Sequence, residues 1–576
     1  MAYRTLRDFV EALDQAGELH RITAPVSPIL EITAIADRIS KSPAAASEHA
    51  VHFDPLHAHL GGKALLLENV QGTQYPVLIN AFGSYRRMEM ALGCTEGGFS
   101  ATARKVASLI KPEPPVGVVE KVKKGIELVK VANMVPRRVR SGPCQEVIKQ
   151  ADEINLFDFP ILKCWPDDGD PHTCGYPVSA QQAGTALGNG RYITFGGVFT
   201  IHPDDAGKPP DQPRTSRNIG MYRAQLIDRN HTAMHWHMHH DGARHWRAWK
   251  QAQQGPKTGI PEIDDVPGMP AAIVLGAESV LPYAATAPLP PGISELLFAG
   301  FLNNSAIPTV RCKTIDLDVP ANADIVIEGY VSTECGEIGF DPHLCAGRDR
   351  TEAATSPMSQ LGPGAVLEGP FGDHTGYYSL PDRYPIFTVT AITHCRNPIY
   401  PTTIVGYPPQ EDYFLGKATE RIFLPLLQTL IPDIIDYDLP MFGAFHNCAF
   451  VQIDKQYPLQ ARRVMHAIWG AGQMAWTKFI VVVDSDIDIH DHEQVLFCLC
   501  ANCDPGRDVE VVSGPLDILD HAAPRLGGGH KMGLDATRKI TGEEVGGHPV
   551  RDWPQPMQMS DSILSLVQRR WGEYGL

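Results

Sequence analysis

The chain has no apolar run of about eighteen residues, the length a membrane-spanning helix needs; the best candidate, Ala271 to Pro282, is cut by Gly276, Glu278 and proline. It also has no basic stripe. Its 50 lysines and arginines are scattered among 66 acidic residues, for a formal charge of −16, which argues against nucleic-acid binding and leaves solubility as the main consequence of the charge. Twelve cysteines run from Cys94 to Cys503 without the spacing of a secreted module, and Met1-Ala2-Tyr3-Arg4 does not open a charged-then-apolar leader, so a cytoplasmic protein is expected. Internal repeats and low-complexity tracts are missing beyond glycine clusters such as Gly527 to Gly529. The glycines of Gly184 to Gly190 and Gly470 to Gly472 complete no phosphate-loop or dinucleotide pattern.

What is present fits several cores, since 576 residues exceed what one can organise. The periodicity predicts an α/β protein with an N-terminal α/β domain over 1–130. There Thr5 and Asp8 resemble a capping box ahead of the stripe Leu6, Phe9, Val10, Leu13, and Ser27-Pro28 starts a second helix. Lys63 to Glu68 and Pro76 to Ala81 read as buried strands, and Ser42 to Gly61 as an insertion. A β-rich central domain is expected over 131–395, with strands at Ile193 to Ile201, Tyr222 to Ile227, Ala271 to Gly276, Ile325 to Tyr330 and Pro385 to Ile392. The aperiodic stretch 335–364 reads as a surface excursion able to act as a lid. A C-terminal α/β domain over 396–576 opens on returning helices, including Arg462 to Trp476.

The chemistry concentrates in the middle. Glu368 and Asp373 lie five residues apart across a turn broken by Gly369, Pro370 and Gly372, which fixes both acids on a loop; Arg223 is their expected partner. Like charges raise one proton affinity while a guanidinium lowers its neighbour's, so one acid is expected to stay protonated beside one kept ionised. His235, His237 and His239 recur at period two, which puts them on one face of a strand with Trp236, Met238 and His240 on the other. One of them joined by oxygen ligands would suit manganese or magnesium better than a structural zinc. Cys498, Cys500 and Cys503 supply three local thiols, one short of a usual iron–sulphur set and better read as small apolar residues. Asp484, Asp486 and Asp488 lack the glycine and glutamate of a calcium loop.

Six segments follow one another along the chain: P-V-S-P-I-L-E-I-T-A-I-A-D-R near the start, C-W-P-D-D after Lys163, R-N-I-G-M-Y-R from Arg217 to Arg223, G-I-S-E up to Glu295, E-G-P-F-G-D-H-T-G-Y-Y from Glu368 and K-M-G-L-D-A-T from Lys531. In these the chain resembles the UbiD family of decarboxylases. The resemblance implies a central split β-barrel that binds prenylated FMN and a C-terminal domain that builds a homo-oligomer, a dimer or a hexamer. It implies catalysis by Arg223, Glu368 and Asp373, and a divalent metal, Mn2+ or Mg2+, held by Asn218, His239 and Glu295, with K+ as a further cation. Flavin contacts are implied for Asn218, Met221, Tyr222, Arg223, His235, Trp236, His237 and His240, and a phosphate contact for Lys478. The reaction implied is non-oxidative decarboxylation of a hydroxylated aromatic acid on the way to a quinone, with a flavin prenyltransferase supplying the cofactor and peripheral membrane association through the substrate. A smaller aromatic or heteroaromatic acid in catabolism, and a non-catalytic flavin- or metal-binding subunit, are the alternatives.

Overall fold

The computed structural model describes residues 2–110, 134–336 and 363–575, apart from 177, 210, 211, 213, 290–292, 445, 525, 541, 546 and 556. Most of the expected excursion at 335–364 therefore lies outside the described residues. Among the described residues no helix is long and apolar enough to cross a membrane.

The first helix, Leu6–Gln15, starts as its sequence dictates: the Asp8 amide donates to Thr5 Oγ1 at 3.0 Å and the Thr5 amide to Asp8 Oδ2 at 3.1 Å. Its stripe Leu6, Phe9, Val10 and Leu13 is buried in the main hydrophobic core. The second helix, Glu31–Ser40, begins later than Ser27-Pro28 suggests, because Glu31 Oε2 accepts from the Ser27 amide at 2.7 Å and holds the residues between them in a turn. The segment read as an insertion is tied to the core by Asp54, which accepts hydrogen bonds from the hydroxyls of Tyr85 and Tyr413. The sheet of this unit runs Leu19–Ile22, Ala64–Leu67, Val77–Ile79 and then Tyr400–Pro401, a strand from far along the chain.

The central unit is a ten-stranded sheet curled into a half barrel. Its path runs Tyr192–Ile193, Ala224–Leu226, His231–Met234, Asp382–His394, Ile325–Ser332, Gly268–Leu275, Gly197–Thr200 and Asn218–Met221. Ala365–Glu368 and Val147–Gln150 both pair with the long strand Asp382–His394. Connectivity alone demands the curl. The strand ending at Ile193 and the one starting at Gly197 are six ladder steps apart, about 29 Å in a flat sheet, yet the chain between them spans at most about 14 Å. The expected single strand from Ile193 to Ile201 is thus broken at Thr194 to Gly196, where the chain leaves one end of the path for the strand next to its other end. A Cβ on Gly196 would stand 2.4 Å from the Ile273 side chain.

The C-terminal unit is a five-stranded sheet ordered Ile434–Asp438, Cys448–Ile453, Phe479–Asp484, Gly528–Asp535 and Val509–Pro515, parallel at its centre and antiparallel at both edges. The helix expected over Arg462 to Trp476 divides into Gln460–Trp469 and a short 3-10 turn Gly472–Trp476, with Gly470 at the break. The 20-residue helix Glu411–Leu430 joins this unit to the others. Glu411 accepts the amides of Asn80 and Phe82, and Lys417, fully buried, pairs with Glu420 and with Asp438 on the first C-terminal strand. A buried cation survives there because two carboxylates surround it.

Candidate active site

Arg223 sits in the two-residue gap between the strands Asn218–Met221 and Ala224–Leu226. Across the hairpin its carbonyl accepts the His235 amide at 3.3 Å, just beyond the last ladder pair, Met234 with Ala224. Glu368 ends the strand Ala365–Glu368, and the loop that follows is held from several sides. The Gly369 amide donates to Gln225 Oε1 at 2.9 Å, the Tyr192 hydroxyl to the Pro370 carbonyl at 3.1 Å, and the Gly372 amide to Asp168 Oδ1 at 2.8 Å. Gly372 also lies against Trp165 so closely that a Cβ would fall 2.1 Å from its ring. Glycine is required at that point.

These elements bring the arginine and both acids together. Arg223 Nε donates to Glu368 Oε1 at 2.9 Å, Nη1 to Asp373 Oδ2 at 2.7 Å, and Nη2 to Glu368 Oε2 at 3.3 Å and Ser379 Oγ at 3.0 Å. The guanidinium carbon lies 4.6 Å from the Phe371 ring centre. His235 Nδ1 is 3.0 Å from Glu368 Oε2, and His374 Nδ1 is 3.1 Å from Asp373 Oδ1.

Both acids are ionised here, against the expectation of one protonated and one charged. Burial pushes Glu368 up, but the Arg223 charge and then His235 outweigh it and take it down to about 2. Burial likewise opposes ionisation of Asp373, and the His374 hydrogen bond and charge, then Arg223, hold it below its ordinary value. Residue types alone point to one cation, whereas the site holds two. Burial pulls His374 down, yet Asp373, and more weakly Asp517 and Asp412, lift it to about 9, so an imidazolium and a guanidinium face two carboxylates.

The residues of the implied metal set fall into two groups. Glu295 opens the helix Glu295–Asn303 and accepts the Ile219 amide at 3.0 Å, which puts it beside Asn218. The Asn218 side-chain nitrogen is buried with no partner at hydrogen-bonding geometry among the described residues. His239 instead groups with His237 and His240, their ring nitrogens within 4.8 Å of one another, and packs against Trp476 of the C-terminal unit at 4.4 Å. Tyr222 lies between the two groups, its hydroxyl interacting with Asn218 and its ring 5.1 Å from that of His240.

The histidine run is not a strand. The ladder ends at Met234, His235 Nε2 meets His237 Nε2 at 2.9 Å, and His240 caps the helix Asp241–Gln254. Burial first, then neighbouring histidines, keep His237 and His240 neutral, His240 down to about 3. Trp236 is fully buried against Gly242, and Met221 with Ile219, Phe82, Phe195 and Phe199 lines an apolar cavity of about 30 Å³, space for a water rather than a ring. Lys478 precedes the strand Phe479–Asp484 and pairs with Asp520 at 2.8 Å. Cys498 is buried beside Val481 and Val483 while Cys500 is exposed, and Asp484 and Asp486 pair with Arg538.

A three-unit α/β chain with an arginine clamped by a strand-end and a loop carboxylate defines a class, and sequence profiles give it a family. The profiles described as the 3-octaprenyl-4-hydroxybenzoate carboxy-lyase N-terminal domain, Rift-related domain and C-terminal domain match residues 10–102, 137–408 and 413–536. The chain belongs to the UbiD family of carboxy-lyases. It is 41% identical over 574 residues to an uncharacterized protein of Aquifex aeolicus, covering 100% of this chain and 99% of that one. Its fold is similar to vanillic acid decarboxylase of Sedimentibacter hydroxybenzoicus in closed form, with TM-score 0.73, 22% identity and coverage of 100% and 99%. It is also similar to the UbiD-class enzyme HmfF of Pelotomaculum thermopropionicum in complex with FMN, with TM-score 0.65, 23% identity and coverage of 93% and 94%.

Proposed function

We propose that this chain catalyses the non-oxidative, reversible decarboxylation of a hydroxylated aromatic acid with prenylated FMN, in quinone biosynthesis. The observation that carries the reading is Arg223 bridging Glu368 and Asp373, all three side chains buried and brought together from two separate segments. The family description names a prenylated hydroxybenzoate as substrate, and relatives of similar fold act on vanillic acid or, in Klebsiella pneumoniae, on 3,4-dihydroxybenzoic acid. Those smaller acids keep catabolism of a simple phenolic acid as the second reading.

The oxygen donors present suit the divalent ion the family implies. Asn218 and Glu295 offer oxygen donors beside each other, and the asparagine amide lacks a full set of partners: oxygen donors of the kind manganese or magnesium takes, with His239 on the other side of Tyr222. Asn218, His239 and Glu295 would hold that ion, Lys478 would exchange Asp520 for the flavin phosphate, and Met221, Tyr222, Trp236 and the histidines 235, 237 and 240 would border the ring. Prenylated FMN, when bound, supplies the electron sink that no side chain offers an aryl carbon losing CO2.

The remaining work falls to the chain. Arg223 receives the substrate carboxylate on a guanidinium already oriented by Glu368 and Ser379. Glu368, held ionised, keeps both Arg223 and His235 in place. Asp373 carries the proton that replaces CO2, and Phe371 and Trp165 keep water from the loop that carries it. The exposed Ile563, Leu564 and Leu566 of the C-terminal helix Asp561–Arg570 support assembly into a homo-oligomer through that unit.

The test is to co-produce the protein with a flavin prenyltransferase, supply prenylated and unprenylated hydroxybenzoic acids, and follow CO2 release and hydrogen–deuterium exchange at the ring. Turnover of the prenylated acid supports the quinone role, and turnover of the unprenylated acids alone supports the catabolic one. Asp373→Asn should remove turnover while the unfolding transition stays in place; full activity in that variant ends the assignment of the proton donor.

A further inference from the structure

The reaction proposed above takes one proton from solution in every cycle, because the carboxylate departs as CO2 and the ring carbon gains hydrogen. Asp373 must therefore be recharged, and its side chain is only 10% exposed. Arg223, bonded to it at 2.7 Å, cannot do so, since a guanidinium does not release its proton in a protein. Glu368 is engaged on the far side of that guanidinium, by Nε and Nη2. Among the described residues the titratable group in hydrogen-bond contact with Asp373 is His374, whose Nδ1 is 3.1 Å from Asp373 Oδ1 and whose amide donates to the same oxygen at 2.8 Å.

His374 leads outward. Its ring lies 4.9 Å from that of His446, and one ring nitrogen of each, with a carboxylate oxygen of Asp517, fall within 4.8 Å of one another. His446 Nε2 is 2.7 Å from Asp517 Oδ2, and both side chains are 21% exposed. His446 and Asp517 belong to the C-terminal unit, so the path crosses from the loop of the half barrel to a second unit and reaches solvent there.

We propose that His374 is the positioning and proton-resupply residue for Asp373, and that Asp517 and His446 connect it to solvent; this rests on the decarboxylase reading above. In each cycle the carbon–carbon bond breaks, CO2 leaves, and the electron pair left on the ring takes the Asp373 proton. His374 Nδ1–H then returns a proton to Asp373 Oδ1, and the neutral ring, which keeps its Nε2 proton, turns over to present the vacant Nδ1 to the His446–Asp517 pair and takes one proton from solvent there. The balance is one proton consumed per CO2 released, with no oxidant or reductant. The groups facing His374 are Asp373, Asp517, Asp412 and His446, with Arg223 acting through Asp373; the three acids hold the imidazole charged at neutral pH. A bound substrate carboxylate adds negative charge beside Arg223, raises the proton affinity of Asp373, and favours the transfer from His374.

The experiment compares the flavin-loaded wild type with His374→Gln and His446→Gln, measuring kcat and KM against pH in light and heavy water. His374→Gln should keep its cofactor absorbance and KM, lose about 10–100-fold in kcat, lose the alkaline limb at about pH 9, show a larger solvent isotope effect, and recover with added imidazole. His446→Gln should move kcat the same way by a smaller factor. Unchanged kcat in His374→Gln, or a lower kcat with a wild-type pH profile and no rescue by imidazole, overturns the proposal. A wild type that releases no CO2 from any aromatic acid defeats the decarboxylase reading itself. In cofactor-free protein, Asp373→Asn should lower the pH at which the His374 ring titrates by nuclear magnetic resonance, and an unchanged titration also overturns the proposal.

Discussion

Replacing Arg223 with methionine removes the cation from two buried carboxylates while keeping most of the side-chain volume. In the wild type Glu368 lies at about 2 against an ordinary 4.5, since Arg223 and His235 overcome the effect of burial. A depressed carboxylate stabilises the folded state above its unfolded value and loses that contribution as pH falls from about 4.5 towards 2. At about 1.4 kcal/mol per pH unit the drop corresponds to about 3 kcal/mol. In Arg223→Met the same carboxylate keeps the burial cost without the compensating charge, so the variant should be about 3–5 kcal/mol less stable at neutral pH. Below neutrality Glu368 would take up a proton in the variant and shed part of that cost. Urea unfolding followed by tryptophan fluorescence reads the difference, the fully buried Trp236, Trp246 and Trp249 being three of the eight reporters. The gap between the two proteins should be widest at about pH 7.5 and clearly narrower at about pH 5. An equal gap at both values, or no gap, would refute the claim that Glu368 owes its charge to Arg223.

Two other substitutions probe the loop and the oxygen pair. Gly372→Ala drives a Cβ to within 2.1 Å of Trp165 in a well-packed loop, so the variant should lose about 1–3 kcal/mol and much of its decarboxylase activity; a wild-type thermal midpoint would contradict the contact. Glu295→Gln removes the charged member of the oxygen pair beside Asn218, and calorimetric titration with Mn2+ should show affinity lower by about 10–100-fold, whereas undiminished affinity would place the ion elsewhere.

Local rules made much of the fold legible. The capping box at Thr5 and the stripe behind it needed only neighbouring residues, and the helix forms as written. The break at Thr194 to Gly196 was not legible, because an apolar run reads as one strand until the closure of the sheet forces the chain across. The contact of Arg223 with Glu368 and Asp373 was visible from residue types and the turn between the acids. Their shared ionisation was not, since Glu368 also needs His235, and Asp373 needs His374, itself lifted by Asp517, 143 positions further on. Asp168 and Trp165 stood in the segment C-W-P-D-D, but only the folded loop reveals that they clamp Gly372. The period-two histidines misled for a physical reason: alternation promises a strand only where a partner strand exists, and the ladder with Ala224–Leu226 stops at Met234.

The parallel pairing of Tyr400–Pro401 with Val77 and Leu78 has a consequence for how the molecule is made. The opening sheet keeps an uncovered flank until about 320 later residues have been translated, a wait on the order of tens of seconds at ribosomal speeds. Glu411, whose carboxylate satisfies the amides of Asn80 and Phe82, emerges later still. The first sheet is therefore completed only once a much later segment has emerged, and fragments truncated before residue 400 should be the ones that bind chaperones.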